Sequence, residues 1–394
     1  MRAVGTSVYG VRTPIIRKGN NLVDIVCKSV DAVLNEQNLT LKPTDVVAVT
    51  EAVVAISQGN YASVDDISAD VRKKTGGGKV GLIFPILSRN RFSTLLSGIV
   101  GGVDELIIQL SYPNDEVGNP LVSVDRLYEL GITNFNRTFT SDEFYKIVGT
   151  VEHPFTGMDY IKYYLNLCGG KAKIILSNDP TTILNYTDKV INADIHSRAR
   201  TKKLLLNKGA KVVCSLSDFL NAPSKTHGFN ESFGLLGSNK SKDGIVKLFP
   251  RDCDKFVAAL QAEFKKRTGV TPQCMVYGDG AFKDPVGGIW ELADPVVSPA
   301  FSSGLNGTPN EIKLKYVADN DLNGCTKDGE IEQKMREIIL NKNKDLKNQN
   351  ISLGTTPRRI TDLLGSLSDL TSGSGDKGTP VVLIKGYFDN YATE

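Results

Sequence analysis

Apolar positions along the chain follow two periodicities that alternate over most of its length. Leu22, Ile25, Val26, Val30, Val33 and Leu34 recur at helical spacing, with Asn20 or Asn21 as the cap and the polar run 35–38 as the exit. Residues 45–56 form instead a continuous Val-rich run, which predicts a long strand buried on both faces. Residues 3–9 predict a shorter strand before it, and 63–74 a helix in which Ser63 precedes Asp66 by three, close to a capping box. Between 80 and 215 the alternation continues. Residues 80–84, 105–110, 172–176 and 210–216 predict strands, and 91–100, 158–167 and 200–206 predict helices between them. This succession predicts α/β layers. Beyond it come a short strand at 245–249, an amphipathic helix at 253–267 and an apolar run at 274–277. A Gly, Asn, Asp and Ser-rich stretch at 301–328 reads as a long loop or lid. Helices at 329–344 and 357–371 and a buried-type strand at 379–388 close the chain.

Composition narrows the class. At 394 residues, with 40% hydrophobic and 23% charged side chains, the chain can build two or three domains. A net charge of +3 gives no basic footprint for nucleic acid. No apolar run approaches the roughly 18 residues that span a bilayer, and residues 1–5 lack a signal-peptide core. A cytoplasmic protein without a membrane partner is therefore expected. The cysteines at 27, 168, 214, 253, 274 and 325 form no CxxC pair and read as reduced, buried small hydrophobes. Histidines occur only at 153, 196 and 227, too few for a His-rich zinc site.

Candidate chemistry concentrates after the apolar run at 274–277. Asp279, Asp284, Glu291 and Asp294 follow it among glycines that let a backbone approach a ligand. The loop at the carboxyl end of a strand is where open α/β sheets place ligands, and one or two such carboxylates with phosphate oxygens hold Mg²⁺. The competing reading is a surface loop whose Asp and Gly residues satisfy turn chemistry. Glu51, inside a run read as a buried strand, needs either a functional role or a structural hydrogen bond. Gly76-Gly77-Gly78-Lys79 is not a phosphate loop, because the glycine spacing is wrong and a strand rather than a helix follows. His153, Thr156 and Asp159 precede a helix whose free amides suit an anion, unless Thr156 simply caps it. His196 and Arg198 open a basic helix start, which an anionic ligand or a solvated face would explain. These five residues are expected to line the cleft that holds Asp279, the alternative being that they only cap helices.

Five short motifs in order resemble the coenzyme F-420:L-glutamate ligase family. They are the turn from Gly10 to Ile16, the Ser57-Gln58-Gly59-Asn60 end of the Val-rich run, Gly237-Ser238-Asn239, Gly278-Asp279-Gly280-Ala281-Phe282, and the closing run from Thr379 to Tyr387. The resemblance covers roughly residues 1–75, 228–290 and 357–390, and each motif alone is short. It implies a two-domain α/β ligase-like core, residues 1–79 and 216–394, with 80–215 as an inserted α/β segment, in a homodimer. The implied reaction joins glutamate, or a similar amino acid, to a small-molecule carboxylate through an acyl phosphate, with GTP or ATP as co-substrate and Mg²⁺ or Mn²⁺ as metal. On that basis Asp279 is a catalytic metal ligand, with Asp284, Glu291 or Asp294 as the second. Thr13, Pro14, Thr50, Ser238 and Asn239 face the nucleotide, and Glu51 reaches the same cleft. Two departures stand out: Ile56 replaces a family lysine, and Leu235 replaces a family aspartate. They keep two other readings open, a non-catalytic ligand-binding or sensing protein on the same fold and a different metal-dependent transferase or hydrolase.

Overall fold

The computed structural model describes residues 3–153, 156–278, 281–283, 290–292, 298–322, 328–352, 358–372 and 376–393. The chain begins with β1 (Ser7–Val11) and α1 (Leu22–Glu36), whose Asn21 cap accepts the Asp24 N–H at 3.2 Å. The Val-rich run then divides. Val46, Val47, Ala48 and Val49 lie in β2 (Val46–Thr50), but the chain turns at Thr50 into α2 (Glu51–Gln58), ended by Gly59 in the left-handed region at φ 62°. The long strand expected over 45–56 is thus corrected, and Glu51 is a first-turn helical residue rather than a strand residue. An apolar run cannot by itself distinguish a buried strand from a buried helix, and Glu51 favours the helix by sitting at its positive end.

After β3 (Tyr61–Ser63), α3 (Val64–Thr75) opens with a full capping box between Ser63 and Asp66. A second sheet follows: β4 (Lys79–Ile83), α4 (Phe92–Gly101), β5 (Glu105–Leu110), α5 (Val124–Glu129), β6 (Phe139–Thr140), α6 (Ser141–Val148), α7 (Tyr160–Leu167), β7 (Ala172–Leu176), β8 (Lys189–Asn192), α8 (Arg198–Asn207) and β9 (Val212–Ser215). Its strand order is β6-β7-β5-β4-β8-β9, all parallel except β6. β8, β6 and the helices α5 and α6 escaped the periodicity because each is short. The order reverses between β4 and β8, so the loops after these two strands diverge to opposite faces and leave a crevice.

The chain returns through β10 (Asn239–Lys242), β11 (Ile245–Lys247), α9 (Cys253–Thr268) and β12 (Gln273–Tyr277). It continues with β13 (Ala281–Lys283), β14 (Trp290–Leu292), β15 (Ala300–Phe301), α10 (Leu314–Asn320), α11 (Asp328–Leu340), α12 (Ile360–Ser372) and β16 (Val381–Lys385). The stretch 301–328, expected as a loop or lid, therefore contains α10; its polar composition hid a helix that buries Val317. A five-stranded sheet, β1-β16-β2-β12-β15, joins the two ends of the chain. Val47 and Val49 face α1 and α9 on one side of it, and Val46 and Ala48 face the α12 side on the other. Cys27, Cys168 and Cys253 are buried, and burial pushes their thiols up to about 12, as inert packing residues require. No helix among the described residues is long and apolar enough to cross a membrane.

Candidate functional site

The parallel strands β1, β2 and β12 end on one edge of the five-stranded sheet. Across it Val11 pairs Val381, Val381 pairs Val49, and Thr50 pairs Tyr277. Thr13, just past β1, donates its N–H to Gly378 O at 3.3 Å, and Thr50 donates to Pro380 O at 3.0 Å, so both lie on that edge with the exposed Pro14 beside them. Glu51 follows Thr50 and is buried. Its Oε1 accepts from Lys247 Nζ at 3.2 Å, and Lys247 is itself only 12% exposed. Lys247 pairs Asn239 across the β10–β11 hairpin. Thr50, Glu51 and Asn239 are thus brought together through Lys247, a residue that sequence reasoning missed because nothing in its local pattern points to a partner so distant in the chain.

Asn60 is a second missed residue. Fully buried, it donates to Phe249 O at 2.8 Å and Phe229 O at 3.1 Å, accepts the Phe229 N–H at 3.0 Å, and meets the Arg251 guanidinium. It pins two loops beside the sheet edge. Ser238 is 3% exposed, and its Oγ has no hydrogen-bond partner among the described residues. Leu235 packs fully buried among Leu216, Leu236 and Phe219, so the position that the family resemblance gives to an aspartate is an apolar packing position here. Asp279, Asp284 and Asp294 lie outside the described residues, and Glu291 is described only as backbone in β14. Among the described residues no group of three or more His, Cys, Asp or Glu side chains is placed to hold a metal ion. The described carboxylate at this edge, Glu51, is already held by Lys247.

The residues expected to bind substrate separate into two places. His153 and Thr156 line a cavity of about 250 Å³ with Arg89, Arg91, Asn119 and Tyr160. Asp159 caps α7, accepting the Lys162 N–H at 3.0 Å and the Tyr145 hydroxyl at 2.7 Å. The cap of that helix is therefore Asp159 and not Thr156. His196 and Arg198 lie beyond β8, beside a cavity of about 410 Å³ at the reversal of strand order. There Glu116 accepts the N–H groups of Ile195 at 2.5 Å, His196 at 2.7 Å and Ser197 at 3.1 Å. Of the two readings of this helix start, an anionic ligand or a solvated face, neither named the group found, because the structure places the chain's own carboxylate there. Burial and the adjacent Asp194 push the Glu116 carboxyl up to about 7, against the pull of these N–H donors. Burial also lowers His196, helped by Arg198.

The model of the F420-0:gamma-glutamyl ligase family matches residues 10–386. The chain belongs to the F420-0:gamma-glutamyl ligase family. The match takes in the six-stranded sheet, nearly all of the five-stranded sheet, the Thr50–Glu51 edge and the Ser238 loop of this ligase-family protein. No curated protein matches the chain.

Proposed function

We propose that this ligase-family protein joins an amino acid of the glutamate type to a small-molecule carboxylate, using GTP or ATP. The observation that carries the reading is the family match over 10–386, which includes the carboxyl edge of β1, β2 and β12. A carboxylate oxygen of the acceptor attacks the terminal phosphorus, giving an acyl phosphate and the nucleoside diphosphate. The amino group then attacks the acyl carbon, phosphate leaves, and the amine loses a proton to give the amide. Lys247 is the cation that phosphate oxygens would meet at this edge, and Glu51 positions it. Thr13, Pro14, Thr50, Ser238 and Asn239 are the proposed nucleotide contacts. Mg²⁺ or Mn²⁺ would neutralise the developing phosphate charge, and its proposed ligands are Asp279, Asp284, Glu291 and Asp294. A cytoplasmic homodimer completes the reading, and light scattering at micromolar concentration would refute it with a monomer mass.

A thermal-unfolding panel of ATP and GTP, with and without Mg²⁺ or Mn²⁺, tests the reading. A nucleotide at 100 times its Kd adds about 2.7 kcal/mol to the folded state, and the response should depend on the cation. Phosphate release that requires both L-glutamate and an acceptor carboxylate is the matching activity. A flat panel would overturn the reading and favour a ligand-binding protein without ligase chemistry. A response indifferent to the cation would remove the metal.

A further inference from the structure

We propose that the cavity between the loop after β4 and the start of α7 binds the carboxylate or phosphate group of a small-molecule substrate, with Arg89 as its principal charged residue. The role of that ligand as substrate rests on the ligase reading, whereas the existence of the site does not.

Three observations carry the proposal. The first is the lining. Around about 250 Å³ stand Arg89, Arg91, Asn90, Asn119, His153 and Thr156; Arg91 already has a partner of its own, which makes Arg89 the charged group the proposal rests on. Arg89 is exposed and makes no ion pair among the described residues. The neighbouring carboxylate, Asp115, is spent on structure: it accepts N–H groups of Leu87 at 2.8 Å, Val117 at 3.1 Å and Asn119 at 2.8 Å, with the Asn119 amide at 2.7 Å. A guanidinium group matches carboxylate and phosphate oxygens in pairs of parallel hydrogen bonds, and α4 begins immediately after Arg91, so its positive end lies at the loop that lines the cavity.

The second is rigidity. Ser88 N donates to the Tyr164 hydroxyl at 3.0 Å, which donates to Ile86 O at 2.6 Å, and Arg91 N donates to Ser88 Oγ at 3.0 Å. On the opposite wall the Thr156 N–H reaches His153 Nδ1 at 3.4 Å, and the His153 ring stands edge-on to Tyr160 at 5.8 Å. A loop fixed at this many points holds the backbone that carries Arg89 in place before the ligand arrives, which lowers the entropy lost on binding.

The third is position. Asn90 O accepts the Lys240 N–H at 2.9 Å, so the arginine loop rests on β10. Ile86 and Arg91 also line a smaller void of about 30 Å³ with Ser238, whose buried hydroxyl lacks a partner among the described residues. A buried hydroxyl in that state is normally met by a water or a ligand atom. The basic cavity therefore adjoins the loop proposed to meet nucleotide, where an acceptor carboxylate would have to lie.

Calorimetric titration of the full chain with L-glutamate, succinate and inorganic phosphate tests the site, with Arg89→Ala and Arg89→Lys as variants and thermal unfolding as the check on folding. One probe class should bind the parent chain, Arg89→Ala should weaken it at least tenfold, and Arg89→Lys should keep part of the affinity. Binding of the dicarboxylates identifies a carboxylate ligand, and binding of phosphate alone a phosphorylated one. The proposal is overturned if no probe binds at millimolar concentration, or if Arg89→Ala binds as the parent does. If Mg²⁺-nucleotide binds while the anion affinities ignore Arg89, this inference fails and the ligase reading stands. If Arg89 governs anion binding while the nucleotide panel is flat, the cavity stands and the ligase reading falls.

Discussion

Two side chains concentrate what the residue scale shows. Glu51 and Lys247 form a pair buried on both sides, 10% and 12% exposed. Removing one partner of such a pair leaves the other charge buried with fewer partners, which costs up to about 3–5 kcal/mol. Lys247→Met should therefore lower the unfolding free energy extrapolated from urea denaturation by up to that much, and adding Glu51→Gln should recover a large part of it. If Lys247→Met costs less than about 1 kcal/mol, Glu51 has adequate partners without it and Lys247 loses its assigned role. Glu116 makes a pH prediction. Its folded value of about 7 lies above its ordinary 4.5, so the folded state binds the extra proton. Its contribution is complete below about pH 4.5 and fades as pH rises through 7. In Glu116→Gln, stability should fall less over this window than in the parent chain; superimposed profiles would remove the claim. The basic residues at this helix start left an anionic ligand and a solvated face both open in the sequence. The chain's own carboxylate was not legible there, because Glu116 reaches it from another strand's loop.

At the scale of elements, local signals read correctly where they are self-contained. The Asn21 cap, the Ser63–Asp66 box and the strands β5 and β7 need only their own sequence. Signals failed where tertiary partners decide, as at the turn from β2 into α2, or where an element is as short as β8. The α3–α4 contact is also of the tertiary kind. Gly98, Gly101 and Gly102 of α4 and its cap let α3 approach so closely that a Cβ at Gly98 would stand 2.6 Å from Ile67 Cγ2, and Ser68 Oγ already donates to Gly98 O at 2.8 Å. In an exposed helix Gly→Ala stabilises by about 1 kcal/mol. Here overpacking should reverse the sign, and Gly98→Ala should destabilise by about 1–3 kcal/mol. Chemical denaturation reads the sign directly, and a stabilised variant would show that α3 can retreat without loss.

On the scale of the whole molecule, the alternation of strands and helices made the α/β class legible, but not how the cores divide. The core on the six-stranded sheet includes Ile67 and Val71 of α3 and Phe219, Leu235, Leu236 and Leu248, all outside the run of strands from 79 to 215. Fully burying six such side chains contributes about 10 kcal/mol or more, comparable to the whole stability of a typical domain at about 5–15 kcal/mol. A chain with residues 80–215 deleted would leave them bare. The chain also enters and leaves this unit at one place. Gln58 Nε2 donates to Arg251 O at 2.6 Å, and Arg251 N donates to Gln58 Oε1 at 2.9 Å, so the two crossing points lie side by side. Crossing points so close let an inserted domain be removed with a short linker. Deleting 61–250 should accordingly leave the five-stranded sheet able to unfold cooperatively. Deleting 80–215 should give a chain that binds hydrophobic dye and aggregates. Size-exclusion chromatography with denaturant unfolding compares the two, and a cooperative, monodisperse 80–215 deletion would show that residues 61–79 and 216–250 pack with the five-stranded sheet instead.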